Sequence, residues 1–86
     1  MIEKINERIS VLSSYNQDKG EITIHKVKWH GRIYPITQIG YHHRVRYGRN
    51  IIHIFHVNNA AVSFKLALDT ETLVWRVIEV SDGTSN

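Results

Sequence analysis

Cysteine is absent from this chain. Its absence excludes a disulfide framework, thiolate zinc sites, iron–sulfur clusters and a cysteine nucleophile at once. Long apolar runs are missing too, so nothing reaches the roughly 18 consecutive apolar residues of a membrane-spanning helix. The opening Met1-Ile2-Glu3-Lys4 is polar and lacks the apolar stretch of a secretory leader, so the expectation is a cytoplasmic protein with no membrane partner. No G-x-S-x-G, no phosphate-cradling glycine loop and no H-E-x-x-H occurs, and the eight carboxylates form no evident acid–base pair. The expectation is therefore a protein that is not an enzyme, with no catalytic residue, metal or cofactor.

What is present fits one small β-domain. The 86 residues, 42% hydrophobic and 22% charged, have globular composition and leave no length for a second core. The domain is expected to span residues 1–86, with a frayed tail at 81–86. Net charge is +3, but its distribution says more. Residues 21–50 carry six cations against the one carboxylate of Glu21, whereas residues 66–86 carry four carboxylates against Arg76. The middle is basic and the end acidic. Such asymmetry suits an anionic partner or self-association.

Periodicity reads as β-structure. In the opening residues Ile2, Ile5, Ile9 and Leu12 fit a helical face, while Ile9, Val11, Ser13 and Tyr15 alternate like a strand; a strand over about 7–15 suits the residue types better. From Glu21 the period is two. Ile22 and Ile24 share one face and Val27 and Trp29 the other, which predicts a bulge near His25-Lys26. His30-Gly31 suits a two-residue turn that sets Trp29 opposite Arg32 and Val27 opposite Tyr34. Pro35 donates no ladder hydrogen bond, so its strand should lie at an edge or be bulged.

The last third predicts a three-stranded meander. A turn at Asn58-Asn59 would pair Val57 with Ala60, Phe55 with Val62, His53 with Phe64 and Ile51 with Leu66. A second turn at Thr70-Glu71 would pair Leu68 with Leu73, Leu66 with Trp75 and Phe64 with Val77. Ile51, Phe55, Val62, Phe64, Leu66, Leu68, Leu73, Trp75 and Val77 then form the core face. Ile52, Ile54, Val74, Ile78 and Val80 fall on the back, too apolar to be fully solvated. The fold class expected is mostly β: a small antiparallel sheet or half-open barrel of five or six strands, its N-terminal segment a strand or short helix.

The run Trp29-His30-Gly31-Arg32-Ile33-Tyr34 resembles the W-x-G-R-x-Y hairpin of a small bacterial family of domains of unknown function. Phe64-Lys65-Leu66, Asp69 and Trp75-Arg76-Val77 resemble that family's closing F-x-L…D…W-x-V hairpin, and the likeness covers about residues 7–82. This chain has Tyr41-His42-His43 where the family usually places a tryptophan. The resemblance implies an accessory protein of the kind sometimes encoded near translesion DNA polymerases, and carries over no catalytic residue.

The most suggestive stretch is Tyr41-His42-His43-Arg44-Val45-Arg46-Tyr47-Gly48-Arg49-Asn50. Extended, it projects His42, Arg44 and Arg46 from one face and His43, Val45 and Tyr47 from the other. Guanidinium groups pair with phosphates and tyrosine rings stack on bases, so Arg44, Arg46 and Arg49, supported by Lys26, Lys28 and Arg32, are the candidate nucleic-acid-binding residues. The competing reading is an edge strand whose charges prevent edge-to-edge aggregation.

The six histidines, His25, His30, His42, His43, His53 and His56, include no i, i+2 pair on one strand face, which argues against a metal site. His53, expected among Ile51, Phe55 and Phe64, reads as a buried, neutral, hydrogen-bonded histidine. Trp29 beside Arg32 suits a cation–π pair or a ring covering the core, and Lys65 opposite Arg76 would splay into water or flank an anion. Two functional classes stay open. One is a non-catalytic nucleic-acid-binding accessory protein. The other is a protein–protein or homodimerising module that uses the back face of Ile52, Ile54, Val74, Ile78 and Val80.

Overall fold

The structure, a computed structural model, describes residues 2–82, without the side chain of Asp82. Eight strands form among them: β1 (Ile2–Arg8), β2 (Ser10–Asn16), β3 (Glu21–Trp29), β4 (Arg32–Pro35), β5 (Gln38–Tyr47), β6 (Asn50–Asn58), β7 (Val62–Asp69) and β8 (Trp75–Asp82). They make two antiparallel sheets, one in the order β1-β8-β7-β6-β5 and one in the order β2-β3-β4. The mostly-β expectation holds, but there are eight strands rather than five or six, and no helix among the described residues.

One extra strand comes from the N-terminal segment. Its one expected strand is two, broken at Ile9, whose N–H donates to the carbonyl of Trp75 at 3.1 Å. Before the break the chain pairs with β8, and after it with β3. Ser81 and Asp82, expected to fray, are the last residues of β8 and pair with Ser63 and Val62. The rest of the expected tail, 83–86, lies outside the described residues.

The three-stranded sheet follows the sequence signals closely. His30 and Gly31 take φ of 52° and 74°, so both turn residues are left-handed and Trp29 faces Arg32. That backbone twist matches the twist of the strands it joins. Opposite β2, the register shifts so that Lys26 faces Leu12 but Ile24 faces Ser13, leaving His25 as the extra residue of a bulge. The bulge lets both Ile24 and Val27 turn inward, 2% and 0% exposed. Pro35 ends β4, an edge strand of its sheet, as expected.

In the meander the paired residues keep their expected faces, but the first register slides by four residues and the second by two. Asn59 is the cause in the first hairpin. Its Oδ1 accepts the N–H groups of Ala61 (2.7 Å) and Val62 (3.0 Å), which moves the turn onward and sets Val57 opposite Phe64, Phe55 opposite Leu66 and His53 opposite Leu68. Asp69 does the same in the second, accepting from the N–H groups of Glu71 and Thr72 and opening a five-residue connection. Leu68 then meets Trp75 and Leu66 meets Val77. An even slip keeps every side chain on its face.

A bulge in β8 has two further consequences. Val80 faces Phe64 and packs against the core instead of lying on the back. Lys65 faces Glu79, with Nζ 3.8 Å from Oε2, while Arg76 faces Ala67; the like-charge pair expected between Lys65 and Arg76 does not form. Leu73, expected in the core, sits in the loop with φ of 62° and 72% exposed.

The two sheets enclose one core of Ile24 and Val27 from the smaller sheet and Phe55, Val57, Phe64, Leu66, Leu68 and Val77 from the larger. Burying side chains of this size contributes about 1.5–3 kcal/mol each. Asn59 Nδ2 donates to the Pro35 carbonyl at 2.7 Å, tying the end of β4 to the β6–β7 turn.

Candidate polyanion-binding edge

β5 is one of the two edge strands of the larger sheet, with β1 at the other side. Its register against β6 shifts between Ile39 and Tyr41, making Gly40 the extra residue of a bulge. Beyond the bulge the strand alternates as its sequence requires. His42, Arg44 and Arg46 lie on the same side as Phe55, His53 and Ile51, which stand opposite them; Tyr41, His43, Val45 and Tyr47 take the outer side. Gly48 (φ 61°) turns the chain, with Arg49 beside it, so that Tyr47 faces Asn50.

On the inner side, the His42 ring stacks on Phe55 with centroids 4.1 Å apart and planes at 12°. Its Nε2 lies 2.7 Å from Nδ1 of half-buried His53, so one ring donates an N–H to the other. His53 is hydrogen-bonded as expected, with Leu68 rather than Phe64 opposite it. Burial, first of all, lowers the pKa of both rings, and the charge of Arg44 lowers both further. Arg44, Val45, Arg46 and Ile51 line a shallow cleft of about 230 Å³ beside the pair.

On the outer side Tyr41, His43 and His56 form a second ring cluster, with centroids 4.9 Å apart for Tyr41–His43 and 6.2 Å for His43–His56. Burial holds His56 below its ordinary value, with Lys65 and His43 adding to the shift and Glu79 opposing it. The remaining histidines serve local ties: His25 bonds Ser14 Oγ at 2.8 Å, and His30 bonds Glu7 at 2.9 Å. Among the described residues no three of His, Asp or Glu converge in a way that would hold a metal ion.

The six candidate basic residues fall into separate places. Arg44 and Arg46 share the inner side of β5, and Arg49 lies at the turn that follows. Lys26 and Lys28 occupy the outward face of the smaller sheet, opposite Leu12 and Ser10. Arg32 faces Trp29 in register, but its guanidinium lies 5.8 Å from the ring centroid of Tyr34, while Trp29 stacks on His30. Two ion pairs form among the described residues, His30–Glu7 and Lys65–Glu79, and neither involves any of these six cations.

The back face of the larger sheet is narrower than expected. Ile54, between His43 and Ala67, is 6% exposed; Ile52, Val74 and Ile78 are half-buried, and Val80 belongs to the core. Arg8, Arg76 and Asp69 stand around a cleft floored by Ile52, Ala67 and Val74.

The chain's sequence signalled the arginine row but not the His42–His53 pair, which joins two strands diagonally. The Tyr47-Gly48-Arg49-Asn50 turn is the signal that would have found it, because it sets Arg44 opposite His53 and His42 opposite Phe55. Comparison with known proteins gives no match: no family model, no curated protein and no solved structure is significantly similar to this chain.

Proposed function

We propose that this domain is a non-catalytic, cytoplasmic binding module that holds single-stranded nucleic acid along β5, in the manner of an accessory protein. The observation that carries this reading is the row Arg44 and Arg46, with Arg49 at its end, none of them paired with a carboxylate among the described residues. Residues two apart on a strand are about 6.8 Å apart, a scale suited to neighbouring phosphates of an extended chain. Guanidinium groups bind phosphate oxygens through two parallel donors, and Tyr41 and Tyr47, 59% and 68% exposed, offer rings for stacking. Lys26, Lys28 and Arg32 add to the positive field that attracts the strand.

The test is fluorescence anisotropy with labelled single-stranded and duplex oligonucleotides at about 50 and about 200 mM salt. Two neutralised phosphates make affinity fall about sevenfold over that range. The Arg44→Ala/Arg46→Ala variant should lose most of the affinity and that salt dependence. Absence of binding at the lower salt would overturn the reading.

A second reading rests on a different observation. No other element of the described residues covers Ile52, Val74 and Ile78, so this face also suits a protein partner or a second copy of the chain. A concentration-dependent dimer in sedimentation velocity, lost on Ile52→Lys, would support it. A monomer indifferent to that substitution would remove it.

A further inference from the structure

We infer that the His42–His53 pair is the phosphate-contacting centre of the β5 strip and that it takes up one proton when a phosphate group binds beside Arg44. This rests on the polyanion reading above and adds to it a specific contact and its linkage to pH.

The geometry is particular. Two imidazoles on neighbouring strands meet at 2.7 Å, and Phe55 stacks beneath His42 to fix its plane. With both rings neutral, the contact uses one proton. The other nitrogens, Nδ1 of His42 and Nε2 of His53, remain for an outside partner. One further proton, taken at an outer nitrogen, converts the contact into an imidazolium–imidazole hydrogen bond, which is shorter and stronger than its neutral counterpart, and the two rings share that charge.

The surroundings oppose the added proton. The charged and titratable groups acting on the pair are Arg44 and His43 of β5, and each acts against added positive charge. Opposite on β6 and β7, Phe55, Ile51 and Leu68 carry no charge. No carboxylate acts on either ring, so nothing in the described residues favours the imidazolium. A phosphate placed between Arg44 and the pair supplies that missing negative charge. It satisfies an imidazolium N–H and offsets the repulsion from Arg44, so it binds better when the proton is present. Linkage then requires the converse: phosphate binding raises the pair's affinity for the proton by the same factor.

A metal cation at the same two nitrogens would face Arg44 and Arg46 on the same side of β5, and no third ligand converges there. An anion fits where a cation does not.

The test is binding of a fluorescein-labelled oligothymidylate without a terminal phosphate, at constant ionic strength, from pH 7.5 to 5.5. Internal phosphodiesters do not titrate in this range, so any linked proton belongs to the protein. Affinity should rise about tenfold as pH falls, within the limit of tenfold per unit that one linked proton sets. His42→Phe keeps the stack on Phe55 and removes the proton, and should reduce that rise to about twofold or less. In the wild-type protein, the histidine Cε1–H resonances of the pair should titrate at higher pH with saturating oligonucleotide than without it. That measurement decides the matter should the variant not fold. A pH-independent affinity, a rise undiminished in His42→Phe, or unmoved resonances would overturn the inference and leave the polyanion reading intact. No binding at any pH at about 50 mM salt would overturn both.

Discussion

Glu7 and Trp29 join the two sheets: Trp29 Nε1 donates to Glu7 Oε1 at 2.9 Å. The same oxygen lies 2.9 Å from His30 Nε2, so one carboxylate of β1 ties down the β3–β4 turn. The hydrogen bond from Trp29, then that from His30, holds the Glu7 carboxyl below its ordinary value. A carboxylate depressed in the folded state stabilises fully above its unfolded value of about 4.3, and that contribution is lost as pH falls through the lower folded value. Glu7→Gln keeps an acceptor for Trp29 but removes the charge. It should lower the thermal midpoint at pH 7 by a few degrees and flatten its fall between pH 5 and pH 3. A midpoint that tracks the wild-type curve throughout would count against the tie.

The histidines act in the opposite pH region. Burial holds His42, His53 and His56 below the usual histidine value. Near pH 6 the unfolded chain therefore binds more protons than the folded one. Their contribution is complete above about pH 6.5 and is lost as pH falls through the folded values. The urea midpoint should drop between pH 7 and pH 5. Glu79 opposes the shift at His56, so Glu79→Gln should move the His56 titration to still lower pH in NMR, leaving His42 and His53 unmoved.

Phe55 is fully buried in the core and also supports the ring of His42. Phe55→Ala should cost about 3–5 kcal/mol, a large share of the stability of a domain of this size. Phe55→Leu should fold with a smaller loss, observable as a lower urea midpoint. It removes the aromatic face under His42, so the His42 resonances should move more than those of His25 on the other sheet.

The charges on β5 have a second effect whether or not a ligand binds. Its outward edge leaves backbone groups without a strand partner, and alternating cations keep another chain from adding there. Arg44→Val/Arg46→Val should make the protein aggregate at concentrations where the wild type stays clear. Arg44→Lys/Arg46→Lys should not. Light scattering against time separates the two, and equal turbidity would remove the edge-protection role.

Much of the fold was legible in the residues because a strand's two faces are set by its own alternation. Phe55, Leu66 and Val77 reach the core wherever the register settles, provided it slips by an even number. Register was less legible. It depends on where Asn59 and Asp69 send their side-chain acceptors, and loop composition alone did not distinguish a two-residue turn from a five-residue one. β1 was hidden for a different reason. Its partner β8 lies far away in the chain, 79 positions on in the Ile2–Ser81 pairing, and its own residues fit a helix as well as a strand. Of the candidate site, the arginine row was readable, while the His42–His53 contact needed a pairing between β5 and β6.

Leu73, with φ of 62° and 72% exposure, is the one aliphatic side chain among the described residues held on a left-handed backbone. An L-residue in that region costs about 1–2 kcal/mol against the right-handed helical region, and little burial offsets the cost here. The conformation persists because Leu73 N–H donates to the Asp69 carbonyl at 2.7 Å, and Asp69 N–H to the Val74 carbonyl at 3.0 Å, which closes the loop. Leu73→Gly relieves the steric conflict and keeps both hydrogen bonds. Leu73→Asn should do so in part, because asparagine tolerates this region without the added flexibility of glycine in the unfolded chain. Each should raise the urea midpoint, by up to about 1 kcal/mol of stability. A lower midpoint for both would mean that the Leu73 side chain makes a stabilising contact outweighing its strain.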